Sequence, residues 1–302
     1  MHARLSPATI ALLIIPPLMW AGNAIVGRMV APLVPPVTLN LLRWSLAFVL
    51  LLPLAAHILR PGSTLWPHWR RFMVLGLLSI GAYNALQYLA LRTSSPINVT
   101  LVAASTPVWM LLIGKLFFAT AISRRQLLGA ALSICGVLLV LSHGDLRMLW
   151  RLQLVPGDLY MLLASLAWAF YSWMLAHPKD EPAGIRNDWA GFLMAQIFFG
   201  LGWSSLFAAG ELSLTSATIQ WSWPLAAALL FVASGPALLA YRAWGAGVQR
   251  VGPALASFFA NLTPLFAAIM SSALLGEPPH AYHALAFALI VGGIVVSSRR
   301  RA

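Results

Sequence analysis

Apolar residues fill this chain in long runs, and polar residues arrive mostly as short punctuation between them. Each run is long enough to cross about 30 Å of hydrocarbon as a helix. Ten such helices are predicted, over residues 8–29, 37–59, 71–91, 96–118, 124–142, 157–176, 188–209, 222–244, 253–275 and 280–298. The longest polar insert is His177–Asp188, HPKDEPAGIRND, between helices six and seven. It leaves no room for a separate soluble domain, so binding and turnover are expected inside the bundle. The opening MHARLSPATIALLII has features of a cleavable signal. Cleavage would delete helix one and break a five-plus-five arrangement, so an uncleaved first span is expected.

That arrangement comes from an internal repeat. Ser95–Trp109 returns as Gly252–Phe266, GPALASFFANLTPLF, 157 positions further along. At this shift Pro96 falls on Pro253, Ala103 on Ala260, Thr106 on Thr263, Pro107 on Pro264 and Gly136 on Gly293. A shift of about half the length describes one unit written twice, residues 1–147 (helices one to five) and 148–302 (helices six to ten). An odd number of helices per copy would insert the second copy upside down. The fold class expected is therefore an all-α polytopic membrane protein: ten transmembrane helices as two inverted five-helix repeats, an arrangement that marks secondary transporters.

Composition agrees with the pattern. The chain is 60% hydrophobic and 9% charged, where soluble domains run near 45–50% and 25%. Its formal charge of +12 would suggest nucleic acid in a soluble protein. Here the basic residues sit at the ends of apolar runs and no basic face carries interleaved aromatics, so no nucleic-acid partner is expected. With the N-terminus in the cytoplasm, the inner side collects Arg4, Arg60, Arg70, Arg71, Arg124, Arg125, Lys179, Arg186, Arg250, Arg299, Arg300 and Arg301. The outer side collects only Arg28, Arg92, Arg147 and Arg151. Both termini then come out cytoplasmic by the positive-inside rule. Cys135 stands alone in an apolar run, which excludes a disulfide or a thiolate metal site. His280 and His283 lack an evident third ligand, and no cofactor is implied.

The stretches AYNALQYLALRTSSPINVTLVAASTPVW…LLGAALSICGVLLV and AYRAWGAGVQRVGPALASFFANLTPLF…LLGEPPHAYHALAFALIVGGIVV resemble two EamA-type domains of the drug/metabolite transporter superfamily. Leu275-Gly276-Glu277 matches that family's Leu-Gly-Glu, whereas the first copy has Phe118-Ala119-Thr120 and no acid. The resemblance implies a ten-helix carrier that exports small metabolites, often amino acids, across the bacterial inner membrane. The Trp- and Tyr-rich helices one and six are similar to those of YddG-type aromatic amino acid exporters.

Carrying a zwitterion requires acceptors for an ammonium, donors for a carboxylate and an apolar wall for the side chain. Pro107 and Pro264 lie near the middle of helices four and nine and would free the Ala103 and Ala260 carbonyls, which suit an ammonium. The other reading is that these prolines only bend packed helices. Trp20 and Asn23 share a face of helix one, Asn84 and Gln87 sit near Tyr83 on helix three, and Ser165, Trp168, Tyr171 and Ser172 line helix six. Ser234, Tyr241 and Trp244 lie along helix eight, and Asn261 precedes Pro264. The substrate-binding candidates are Trp20, Asn23, Asn84, Gln87, Trp168, Tyr171, Tyr241 and Asn261. For any single Asn, Gln or Ser, interhelical hydrogen bonding is the competing role. Trp109 is the least secure wall residue, and Trp66, Trp69, Trp150, Trp189, Trp221 and Trp223 fit an interfacial belt.

Arg43, Lys115 and Arg242 lie within a few residues of a predicted span end, where long side chains snorkel to the interface. Of the three, Arg43 is best placed to meet a substrate carboxylate. No Asp or Glu lies in the core of any predicted span, which favours a facilitator or exchanger over a proton-driven carrier. Ala284, Ala288 and Gly292 on helix ten, with Gly129 and Ser133 on helix five, form small-residue faces for packing between the halves or a weak dimer. A monomer or weak dimer in the lipid bilayer is expected, carrying amino acids or similar metabolites. A broad-specificity drug or lipophilic-cation exporter is the alternative. An intramembrane enzyme is not expected, since the span cores hold serines but no His or acid to activate them.

Overall fold

A computed structural model describes residues 5–94, 96–151, 155–178, 183–215, 218–275 and 280–298. Arg4, Lys179, Gly276, Glu277 and Arg299–Arg301, on which parts of the motif and charge-bias readings rest, lie outside them. Among the described residues the chain is helical throughout, with no strand. Nine helices are long and apolar enough to span a membrane, and the shorter apolar helix Thr106–Phe117 completes the set. In a bilayer a helix satisfies every backbone group within its own segment, which is why so apolar a chain takes this form.

The observed helices are Pro7–Val30, Pro36–Ala55, a third from Trp69 to Thr93, a fourth from Pro96 to Phe117, Arg124–Leu141, Pro156–Ala176, Trp189–Leu214, an eighth from Trp223 to Val251, a ninth from Pro253 to Leu275, and Ala281–Ser298. Several begin on Pro at their first or second position, where its missing N–H would be unpaired anyway. Helix seven runs five residues past its predicted end to Leu214, and helix eight seven past its own to Val251.

Four helices are not regular. Helix three widens to a π-helix over Leu77–Tyr83 and helix eight over Ala233–Leu239. In helix eight Pro236 lies inside the wide turn, which accommodates a ring that would clash with an α-helical carbonyl. Helix four is broken between Pro96–Ala104 and Thr106–Phe117, and helix nine between Pro253–Ala260 and Thr263–Leu275. The irregularities therefore come in pairs, one to each half of the chain.

Packing obeys the same exchange. Helix one lies on helices eight and nine, as helix six lies on helices three and four. Helix two packs on helix seven, and helix five on helix ten. In the last pair a Cβ on Gly129 would stand 2.7 Å from the Gly293 carbonyl, and one on Gly293 2.6 Å from the Gly129 carbonyl. Only bare backbone allows so close an approach. The face of helix ten that meets helix five is Ala286, Ile290 and Gly293; Ala284 and Ala288 point outward and Gly292 meets nothing. The small-residue face expected on helix ten is therefore not the one that joins the halves. The side chains of Trp66, Trp69, Trp150, Trp189, Trp221 and Trp223 are all exposed at helix ends, as an interfacial belt requires.

Candidate functional site

At the meeting of helices one, two, three, six and eight, aromatic rings form a continuous cage. Trp168 on helix six is its hub. It meets Trp20 edge-on at 5.3 Å between centroids, Tyr83 at 5.0 Å, Tyr171 at 5.1 Å, Trp244 at 5.4 Å and Tyr241 at 5.5 Å. Tyr241 in turn meets Trp44 of helix two at 4.9 Å. Offset and edge-to-face contacts of this kind hold each ring in one orientation. Trp168, Tyr171, Tyr241 and Trp244 are buried, whereas Trp20 and Tyr83 are half-buried.

The polar part of the site lies against this cage. Asn23 and Asn84, both buried, turn their Oδ1 atoms to Arg43 Nη1 at 3.5 Å and 3.4 Å. Arg43 itself is 1% exposed and stands 5.1 Å over the Trp44 ring. The expectation that it snorkels is therefore corrected. Position 43 is the eighth residue of a helix that starts at Pro36, and its side chain turns inward. Lys115 and Arg242 are exposed, the latter 4.2 Å over the Trp189 ring.

The π-turns build this arrangement. A wide turn leaves carbonyls unpaired within their own helix, and here other helices supply the donors. Tyr241 Oη donates to Ser79 O at 3.1 Å, and Asn40 Nδ2 and Ser204 Oγ donate to Ile80 O at 2.9 Å and 3.4 Å. Trp244 Nε1 donates to Ser172 Oγ at 3.1 Å. The two wide turns thus bring Asn84 and Tyr241, each just past one of them, into the same cluster.

The structure gathers six of the eight substrate-binding candidates here: Trp20, Asn23, Asn84, Trp168, Tyr171 and Tyr241. Gln87 sits three positions beyond Asn84, half-buried and without a hydrogen bond among the described residues. Asn261 belongs elsewhere. From the break of helix nine its Nδ2 donates to Ala104 O at 3.3 Å, at the break of helix four, and to Ser133 Oγ on helix five at 2.8 Å. Ser234 is exposed and bonds back to Leu230 O, away from the cage.

Pro107 and Pro264 both stand at the breaks of helices four and nine. Each takes the second position of a new helical segment instead of kinking a continuous one. The Ala103 carbonyl accepts from Thr106 Oγ1 at 2.5 Å, which uses one of its two lone pairs. Trp109 is held over the break by its Nε1 bond to Ser105 Oγ at 2.9 Å.

Trp44, Trp244, Tyr83 and the depth of Arg43 complete the site beyond the eight candidates. Tyr83 and Trp244 carried a sequence signal, since they flank Asn84 and Tyr241, which the repeat shift of 157 places on one another; Arg43 and Trp44 on helix two carried none. A cavity of about 560 Å³ also opens between Ala183, Arg186, Asn187, Ala246, Gln249 and Arg250. It is formed by the connection between helices six and seven and the end of helix eight, apart from the rings. Among the described residues no group of three His, Cys, Asp or Glu side chains is arranged to hold a metal.

Comparison with known proteins identifies the class. The chain belongs to the EamA-like transporter family, which matches residues 7–142 and again 155–299. It is a multi-pass membrane transporter and not an enzyme. It is 27% identical to the uncharacterized transporter YyaM of Bacillus subtilis over 75% of this chain and 72% of that one. It is 26% identical to the uncharacterized inner membrane transporter YedA of Escherichia coli K12, over 92% of this chain and 87% of YedA. It is 23% identical to the aromatic amino acid exporter YddG of Ancylobacter novellus, over 77% and 76%. A solved crystal structure at 20% identity shares the fold with a TM-score of 0.74, covering 96% of this chain and 97% of that one.

Proposed function

We propose that this protein exports amino acids, aromatic ones included, and related small metabolites across the bacterial inner membrane by alternating access. The observation that carries the reading is the ring cage around Trp168, with Arg43, Asn23 and Asn84 against one side of it. An aromatic side chain finds complementary faces and edges there, and the polar groups can orient its charged end. The names of YedA and YddG support the membrane and the substrate class.

Mechanistically, the two halves insert in opposite senses with both termini in the cytoplasm. The packing pattern survives exchange of the halves, so a second conformation of similar energy arises when they trade shapes. The cage is drawn from helices of both halves, so access switches around it and its inter-half contacts change as it does. The paired π-turns and broken helices are where the backbone can bend without losing a regular ladder. Among the described residues no carboxylate stands in the cage, which supports a facilitator or exchanger.

A broad-specificity drug or lipophilic-cation exporter is the second reading, favoured by the ring faces alone, which attract cations. Uptake of a labelled amino-acid panel into liposomes holding the purified protein, with and without a pH gradient, tests both. Uptake of aromatic amino acids indifferent to the gradient is the expected result. Uptake of lipophilic cations without amino acids would overturn the substrate class, and a strict need for the gradient would overturn facilitation.

A further inference from the structure

Three charged side chains are buried among the described residues: Arg43, Asp158 and Glu211. Two are satisfied locally. Glu211 accepts from Val37 N, Thr38 N and Thr38 Oγ1, and Asp158 accepts from Ser94 Oγ and Val155 N. Arg43 is not. A guanidinium offers five donors in a fixed fork and stays charged in proteins. Here one nitrogen, Nη1, reaches two amide oxygens at the long limit of a hydrogen bond, and Nε has no partner. No carboxylate pairs with Arg43 among the described residues. Two further donors beside it, Asn84 Nδ2 and Trp44 Nε1, also lack partners, as does one acceptor a helical turn away, Asn40 Oδ1. A buried cation without a counter-ion is costly to keep, and an anion bound beside it would offset that cost.

The geometry points to Arg43, with Asn84 Nδ2, as the subsite that takes a carboxylate. It selects molecules with a carboxylate on an apolar or aromatic body, whether or not they also carry an ammonium. This rests on the transport reading above and narrows its substrate class. Planar guanidinium donors match the two carboxylate oxygens in pairs. From Arg43 the wall continues through Trp44, Tyr241 and Trp168, so the body of the ligand lies along the rings. The same uncompensated charge repels a cation from this end of the cage.

Three probes differing in one group decide the matter: L-phenylalanine, phenethylamine, which lacks the carboxylate, and 3-phenylpropanoate, which lacks the ammonium. Binding is read from tryptophan fluorescence of the purified full chain, and transport from counterflow in liposomes. 3-Phenylpropanoate binds the wild type at least tenfold tighter than phenethylamine. Arg43→Gln loses that binding at least tenfold, Arg43→Lys retains part of it, and the ligand-free thermal midpoint of Arg43→Gln is unchanged or raised. A merely structural arginine would give a lower midpoint with carboxylate binding intact, which overturns the subsite. Equal binding of phenethylamine and 3-phenylpropanoate by the wild type overturns it without any variant. If L-phenylalanine moves while phenethylamine competes equally, amino acid transport stands and the subsite fails. If L-phenylalanine does not move while 3-phenylpropanoate binds through Arg43, the subsite stands and the amino acid reading fails. If no carboxylate probe binds, the subsite is overturned.

Discussion

Trp20 and Trp168 meet edge to face, with centroids 5.3 Å apart and planes at 85°. One ring comes from helix one and the other from helix six, so the contact joins the two halves of the chain at the centre of the cage. Any motion of one half against the other must change it.

Replacing Trp168 is the most direct probe of the cage. Trp168→Phe keeps an aromatic body but loses contacts to five rings, and is expected to raise the KM for aromatic substrates about tenfold with a small change in expression. Trp168→Ala removes a buried side chain, which costs about 3–5 kcal/mol in packed cores. Liposome uptake beside a thermal melt separates the two effects. A KM unchanged in Trp168→Phe would remove Trp168 from the substrate wall.

Glu211 holds the start of helix two. Its carboxylate accepts from Val37 N at 3.1 Å, Thr38 N at 2.8 Å and Thr38 Oγ1 at 3.0 Å. A negative charge there also suits the positive end of the helix. Glu211→Ala leaves two buried N–H groups unpaired, at about 1–3 kcal/mol for each. The midpoint of thermal unfolding should fall by several degrees, with Glu211→Gln intermediate. Equal midpoints for all three proteins would show that water replaces the carboxylate.

Asn261 bridges the two broken helices. Asn261→Ala strands the Ala104 carbonyl and Ser133, and should cost about 1–3 kcal/mol. Because Asn261 lies away from the cage, KM should change less than in Trp168→Phe. A large KM effect with an unchanged melt would place Asn261 among the substrate-contacting residues instead.

Helix four ends on a strained residue. Ala119 has φ 52°, a left-handed conformation that costs an L side chain about 1–2 kcal/mol. At the repeat shift, Gly276 occupies the matching position of the second half. Ala119→Gly should relieve that strain, offset in part by a more flexible unfolded chain, for a net gain near 1 kcal/mol. A lowered melting midpoint would refute the strain.

Class, helix number and duplication were legible in the residues, because each is a local or periodic property. Run length against bilayer thickness gives the spans, and a constant shift gives the repeat. Pairing of Trp20 with Asn23, or of Asn84 with its neighbours, was also legible as a shared helix face. The depth of Arg43 was not. Counting from a predicted boundary placed it near an end, yet whether a long cation turns to the interface or inward depends on what neighbouring helices offer at that level. The site's other half was hidden for a related reason. Tyr241 and Trp244 reach Trp168 from just past the π-turn of helix eight, and Trp44 joins the rings through Tyr241. In the turn of helix three, Tyr241, Asn40 and Ser204 on other helices satisfy the Ser79 and Ile80 carbonyls. Asn261 shows the same limit, since nothing in its sequence neighbourhood distinguishes its donors from those of Asn84. Sequence alone thus determined that the chain crosses the membrane repeatedly as a doubled unit. Which polar atoms are spent between helices, and which remain open to a ligand, was decided by the packing of the two halves, because in hydrocarbon every polar group must be answered by whichever neighbour the fold brings within reach.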